Sequence, residues 1–129
     1  MTDLEPEDQE IKEVLSGINR VIMNLEYLAE NPLNMLWLSH TYHQIDFVIR
    51  CCGQVVSDLD SEEDIGIKDY MKKLQKIFYG ITIQGLKIET TLYNDMMKGL
   101  EVIRDSIKGN SVDKEVVHNV DEMLSQYLG

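Results

Sequence analysis

The feature that most constrains the fold is residues 31–59, in which apolar residues recur at helical spacing. Leu38, Ile45, Cys52 and Leu59 are seven positions apart and predict one broad buried face of a helix. An ordinary surface helix carries charged residues on its other side. Here that side holds a second, partly apolar strip: Leu36, Trp37, His40, Gln44, Phe47 and Cys51. We therefore expect a central helix that needs cover on both sides, from its own chain or from a partner.

A helical pattern also precedes this segment. Residues 5–30 are the predicted first helix, with Ile11, Ile18 and Leu25 forming one row of its apolar stripe. Asn31 and Pro32 end that helix, because proline cannot continue the hydrogen-bond ladder. The same two residues can start the next helix, with Asn31 as N-cap and Pro32 in the first turn. Almost no loop is then left between the two helices.

The third helix is predicted to begin at Asp60 or Ser61, and Ser61 with Asp64 resembles an acidic capping box. Without a break this helix would continue to residue 108 and far exceed its neighbours in length. Residues 80–85 begin and end with glycine and alternate like a strand, but no other run of this kind is present for pairing. We expect a kink or a tight turn there.

Two further helices are predicted beyond that turn. The fourth covers residues 86–108 and ends at Gly109 and Asn110, which suit a left-handed C-terminal cap. The last begins at Ser111. A chain of 129 residues with 43% hydrophobic residues is expected to fold as one domain, residues 1–129. The predicted fold class is all-α, an up-and-down antiparallel bundle of four long helices, or five counting the short C-terminal one.

The charge balance excludes several kinds of partner. The chain has 12 Lys and Arg against 23 Asp and Glu, a net charge of -11, which repels nucleic acid and anionic membrane surfaces. No apolar run approaches the roughly 20 residues of a membrane span. The two cysteines, Cys51 and Cys52, are adjacent on a helix and poorly placed to bond each other. A reduced, cytoplasmic protein is expected, with Cys52 in the core and Cys51 at a helix seam.

A search for chemistry returns few candidates. The chain has no glycine-rich phosphate loop, no Cys-x-x-Cys and no His-Glu-x-x-His. A di-iron bundle site needs two Glu-x-x-His pairs and two further glutamates, and only Glu115 with His118 forms such a pair. His43 and His118 face outward in the predicted register. We therefore expect no metal site and no cofactor.

One family resemblance is carried by the sequence Leu36-Trp37-Leu38-Ser39-His40-Thr41. It is similar to the helix of histidine-containing phosphotransfer domains that bears the phosphorylated histidine, and the stretch 97–128 resembles their last hairpin. The resemblance implies a four-helix bundle in which His40 is the catalytic nucleophile. Where the family has lysine and glycine, three and four residues after the histidine, this chain has His43 and Gln44. A diverged relative without the activity fits the same resemblance.

Two functions therefore follow from the sequence. The first is a non-enzymatic bundle that binds a protein partner or a second copy of itself, with Trp37, Phe47 and Cys51 on the contact surface. The second is histidine phosphotransfer through His40, from a response-regulator aspartate or a kinase histidine. Exposure of Trp37, His40 and Phe47 is the observation that bears on both.

Overall fold

The computed structural model describes residues 6–32, 34–63, 66–86, 89–109 and 113–128. Within these ranges the chain is helical and has no strand, as expected for an all-α fold. The described residues form six helices rather than the four or five expected, so the predicted count is not confirmed. They are α1 (Pro6–Glu30), α2 (Met35–Cys51), α3 (Gly53–Glu63), α4 (Ile67–Gln84), α5 (Thr90–Ile107) and α6 (Glu115–Leu128).

The first helix has the predicted bounds to within one residue. Its apolar stripe is buried, because every third or fourth side chain faces the core. These buried residues are Val14, Ile18, Val21, Ile22, Leu25 and Leu28. The helix ends where the Asn31 N–H donates to the carbonyls of Tyr27, at 2.9 Å, and Leu28, at 3.2 Å.

The second helix starts later than predicted. Asn34, not Asn31, is its N-cap, and its side-chain oxygen accepts a hydrogen bond from the Trp37 N–H at 3.2 Å. Asn31 instead closes a short turn, in which its carbonyl accepts from the Asn34 N–H at 3.1 Å. Both asparagines can cap a helix, and the turn that follows α1 leaves the second one at the start of α2.

The predicted long helix over residues 31–59 is interrupted at Cys52. The backbone there has φ −110° and ψ 12°, and the next residue, Gly53, has the greatest conformational freedom to lose in a helix. The break keeps Cys52 and Val56 buried, at 3% and 2% exposure, and lets α3 contact α1, α2 and α4. The apolar row itself is as predicted, since Leu38 and Ile45 are also buried.

The predicted start of the third helix is wrong. Asp60 and Ser61 lie within α3, and α4 begins only at Ile67. Gly66 precedes it with φ 77°, a left-handed conformation that glycine adopts without strain, so the chain turns there. The proposed cap partner Asp64 lies outside the described residues.

The predicted turn within residues 80–85 occurs at its last position. The helix continues to Gln84, and Gly85 ends it with φ 71° while the Leu86 N–H donates to the Gly80 carbonyl at 2.9 Å. The next helix starts at Thr90, four residues later than expected. Gly109, with φ 86°, is left-handed as predicted; Asn110 and Ser111 lie outside the described residues.

The helices pack in a ring around one core. In cyclic order α1 contacts α2, α2 contacts α4, α4 contacts α6, α6 contacts α5, and α5 returns to α1. Inside the ring, the fully buried Tyr70 donates a hydrogen bond to the Met96 carbonyl at 2.9 Å, and Gly99 leaves room for its ring. This arrangement places α1 and α4 on either side of α2.

Candidate functional site

The second, partly apolar strip of α2 lies at the protein surface. Leu36 is 64% exposed and Phe47 39%, and His40 and Cys51 are also exposed, while Trp37 and Gln44 are half-buried. The core and the neighbouring helices cover the first face of α2 but not this one. Of the three residues expected to decide between core and site, none is buried.

A groove between α1 and α2 runs beside this strip, and we call it the α1–α2 groove. Its aromatic end is formed by Tyr27 and Trp37, whose ring centroids are 4.7 Å apart at an angle of 38°. The His40 ring centroid lies 5.8 Å from that of Trp37. The groove has a volume of about 390 Å³ and is also lined by Arg20, Met23, Asn24 and Gln44.

Further along the same seam, α1 and α2 are in close contact. Gly17 is buried there, and a Cβ atom on it would lie 2.6 Å from Val48 Cγ2 and 3.8 Å from Phe47 Cδ1. A larger residue at this position would push the two helices apart. The absence of a side chain at Gly17 thus holds the C-terminal half of α2 against α1.

A second groove lies on the other side of α2, against α4, with a volume of about 350 Å³. Its walls are largely apolar: Met35, Ser39, Tyr42, His43, Tyr79, Thr82 and Ile83. It ends near a polar contact in which Asp46 Oδ1 accepts hydrogen bonds from Gln75 Nε2, at 2.8 Å, and from Arg50 Nε, at 2.9 Å. This groove therefore has largely apolar walls and a charged contact near one end.

Among the described residues, most of the strongly exposed large apolar side chains surround the N-terminal half of α2. Met35, Leu36, Tyr79 and Ile83 are 59%, 64%, 46% and 66% exposed; together with Met23 and Tyr27 of α1 we call them the α2 face. Residues 31–45, which cross it, contain no Asp, Glu, Lys or Arg, although 27% of the chain is charged. Exposed apolar surface without charge is typical of an interaction site.

Five residues of the α2 face were missed by the sequence interpretation. Each lies at a helical position that could equally well be buried: Met23, Tyr27, Met35, Tyr79 and Ile83. The uncharged run at residues 31–45 was the available signal for Met35. The sequence around the α1 and α4 residues gave no sign of their exposure, because that exposure depends on how α1 and α4 pack against α2.

Cys52 is buried, as predicted, whereas Cys51, which was predicted to lie at a helix seam, is exposed. Burial raises the pKa of the Cys52 thiol, and the nearby carboxylate of Glu13 raises it further. A raised pKa lowers the thiolate fraction, and the thiolate is the nucleophile.

No group of three or more His, Cys, Asp or Glu residues in the described part of the chain is arranged to hold a metal ion. His43 and His118 are exposed, in agreement with the predicted register. His118 Nε2 lies 3.1 Å from Glu122 Oε1, one turn further along α6. Within the described ranges, no further His, Cys, Asp or Glu joins the Glu115–His118 pair in such a group.

A third depression, of about 440 Å³, lies between α4 and α6. Asp121, which lines it, forms an ion pair with Lys73, whose Nζ lies 2.6 Å from Asp121 Oδ2. Burial, and secondarily the carboxylates of Asp121 and Asp95, raises the pKa of the neighbouring Tyr70 well above its ordinary value. The ion pair between Lys73 and Asp121 stabilises the packing of α6 on α4. Tyr70 stays protonated.

Comparison of the chain with protein-family models, with curated proteins and with solved structures finds no match. Among the described helices, none has both the length and the apolar character needed to cross a membrane.

Proposed function

We propose that this chain is a non-enzymatic helical protein that acts by self-association, and that two copies meet through the α2 face. One observation carries the proposal: apolar side chains from α1, α2 and α4 are exposed together around a segment that has no formal charge. Such a surface loses little hydration of polar groups when it is covered, and gains the full hydrophobic contribution.

Charge supports a second copy as the occupant. Each copy carries a net charge of -11, so two copies repel each other at most orientations. Residues 31–45 are the stretch at which two identical surfaces can meet without opposing like charges. Closed two-fold dimers use the same patch on both subunits, and an uncharged patch is complementary to itself.

Trp37, Phe47 and Cys51 belong to the proposed contact as its anchors along α2. Trp37 is half-buried against Tyr27 and Phe47 is 39% exposed, so both rings have surface left for a partner. Large aromatic side chains whose position is already held by neighbours contribute most to an interface.

The test is the oligomeric state, measured by sedimentation equilibrium. We expect the wild type to dimerise and Ile83→Asp to raise the dissociation constant at least about tenfold, since a carboxylate would be buried without a partner. Leu128→Asp is the matched control, because Leu128 is also apolar and exposed, at 40%, but lies on α6. A wild type that stays monomeric up to about 1 mM would refute self-association.

A second candidate, histidine phosphotransfer, is favoured by the exposure of His40. Its imidazole lies at the surface of α2, where a ring nitrogen could attack the phosphorus of an aspartyl phosphate or phosphohistidine on a partner, forming an N–P bond as the donor's bond to phosphorus breaks. The Arg20 guanidinium, on the same groove, is suited to the added negative charge. A diverged relative would retain the fold without this step.

The phosphotransfer candidate is tested by incubating the chain with phosphorylated response-regulator and kinase domains. An acid-labile, base-stable phosphate that is lost in His40→Gln and kept in His43→Gln would support it. His43 is a suitable control because it is also an exposed histidine of α2. Equal labelling of the two variants would exclude His40 as the acceptor.

In this proposal α1, α2, α4, α5 and α6 serve as the up-and-down bundle expected from the sequence when the C-terminal helix is counted as its fifth member, and α6 lies between α4 and α5. A cytoplasmic location fits it, since Cys51 and Cys52 are both free thiols.

A further inference from the structure

The α1–α2 groove contains a largely buried polar side chain, Asn24, whose amide is open to a ligand. Asn24 lines the groove and is 8% exposed, and its amide forms no hydrogen bond with any other residue in the described ranges. The side chain as a whole is only 8% exposed, but its amide atoms still reach solvent, since among the described residues the buried side-chain oxygen or nitrogen that lacks a partner is Asp121 Oδ1. A ligand in the groove could therefore replace water as the hydrogen-bond partner of this amide.

Beside Asn24 the groove has an aromatic wall. The Trp37 ring packs on Tyr27 and lies near the His40 imidazole, and it is half-buried, so part of it stays open. An aromatic ring held in this way is a platform on which a flat ring can stack. The Asn24 amide has one acceptor and two donors for the edge of such a ring.

At its other end the groove has a positive charge. Arg20 is exposed and forms no ion pair with any residue that the structure describes. It precedes Tyr27 by seven residues on α1, which is a distance of about 10 Å along the helix. None of the described residues that line the groove is acidic, so the guanidinium is available to an anionic group.

We propose that the α1–α2 groove binds a nucleotide-sized ligand, whose flat ring stacks on Trp37 and hydrogen-bonds to Asn24 and whose anionic group reaches Arg20. A nucleoside monophosphate has these parts in this order. The groove volume of about 390 Å³ lies at the lower end of the range for small-molecule sites. The net charge of -11 disfavours a nucleic-acid polymer in the same place. This site goes beyond the proposed self-association and does not require it.

Trp37 is the chain's only tryptophan, so its fluorescence reports directly on the groove. We expect AMP to quench it in a saturable way, and adenosine and ribose 5-phosphate, which each lack one part, to bind at least about tenfold more weakly. The titration is made in Ile83→Asp, which keeps the groove residues and removes the proposed dimer contact. No saturable change with any of the four common nucleoside monophosphates up to about 10 mM would overturn the proposal.

Variants separate a ligand-binding amide from a structural one. Asn24→Leu should weaken AMP binding by at least about tenfold while the melting temperature stays nearly the same, since no hydrogen bond to another described residue is lost and an apolar group of similar size takes the place of the amide. Arg20→Gln should weaken AMP and leave adenosine unchanged, whereas Arg50→Gln, at a cation already paired with Asp46, should change neither. A fall in melting temperature in Asn24→Leu with unchanged AMP affinity would show that the amide is structural.

Discussion

Ile45 projects from α2 into the core and is fully buried. Ile45→Ala removes buried methyl and methylene groups and leaves a cavity, so we expect the free energy of unfolding to fall by roughly 2–5 kcal/mol. Leu36→Ala, on the exposed side of the same helix, should change it by no more than about 0.5 kcal/mol. Urea denaturation measures both. Similar losses in the two variants would mean that the faces of α2 are assigned incorrectly.

The buried Tyr93 makes the free energy of unfolding depend on pH in the alkaline range. Burial raises its pKa to about 12, above the ordinary value of about 10, so the folded protein holds a proton that the unfolded chain releases. The free energy of unfolding should therefore be constant below about pH 10 and fall as pH rises toward 12, by up to about 3 kcal/mol for this residue.

Thermal melts between about pH 8 and pH 12 measure this effect. Tyr93→Phe should reduce the alkaline loss without abolishing it, because burial also raises the pKa of Tyr70. Tyr79→Phe is the control, since Tyr79 is 46% exposed, and should follow the wild-type curve. Superimposable curves for Tyr93→Phe and the wild type would contradict the assignment.

Single residues also show how far the sequence could predict the site. The period of 3.6 residues was enough to place Ile45 and Leu38 inside, because the burial of a helix face depends on spacing. It could not decide whether Trp37 would be covered. That depends on Tyr27, which belongs to another helix and meets Trp37 only after α1 and α2 pack together.

At the scale of helices, the two asparagines before α2 give a direct test of its start. Asn34→Ala removes the side-chain acceptor of the Trp37 N–H and should lower the free energy of unfolding by about 1 kcal/mol. Asn31→Ala, which removes an exposed bond from its amide to the Tyr27 carbonyl, should have at most about half that effect. Chemical denaturation compares them, and a larger loss in Asn31→Ala would restore Asn31 as the cap.

Helix ends were predicted less well than helix faces, for a physical reason. Local capping signals compete: Ser61 and Gly66 each suit a helix boundary, and the chain uses the glycine. At Cys52 no capping signal is present beyond Gly53, and the break follows from the need to keep Val56 buried against other helices. Such a need arises from tertiary packing, which spacing along one helix does not contain.

At the scale of the whole molecule, the position of α6 decides which surfaces are open. It packs between α4 and α5 and closes the ring, so the outer side of α2 is left without cover from the described helices. A count of helices could not predict this order, because it depends on long-range contacts between helices of similar length and character. The exposure of the α2 face therefore follows from how all the helices of the chain pack together, and not from the sequence of α2 alone.

The proposed dimer makes a further prediction about salt. Two copies with a net charge of -11 each repel each other at long range. Residues 31–45 of the α2 face contain no Asp, Glu, Lys or Arg that could form an ion pair across the contact. Raising the ionic strength from about 0.01 M to about 0.15 M shortens the screening length from about 30 Å to about 8 Å. The repulsion weakens and the hydrophobic contact remains, so the dimer dissociation constant should fall several-fold.

Sedimentation equilibrium at the two ionic strengths measures this change, with Ile83→Asp as the control that should dimerise at least about tenfold more weakly than the wild type at both. The opposite result, a dimer that dissociates as salt is added, would mean that attraction between unlike charges holds the copies together. The exposed lysines Lys72 and Lys76 of α4 would then be the residues to exchange for glutamine, because they could face the acidic surface of a second copy. If the contact is apolar and uncharged, exchanging Lys72 and Lys76 for glutamine should leave the dimer affinity unchanged. At most it should lower that affinity slightly, because each copy becomes more negatively charged.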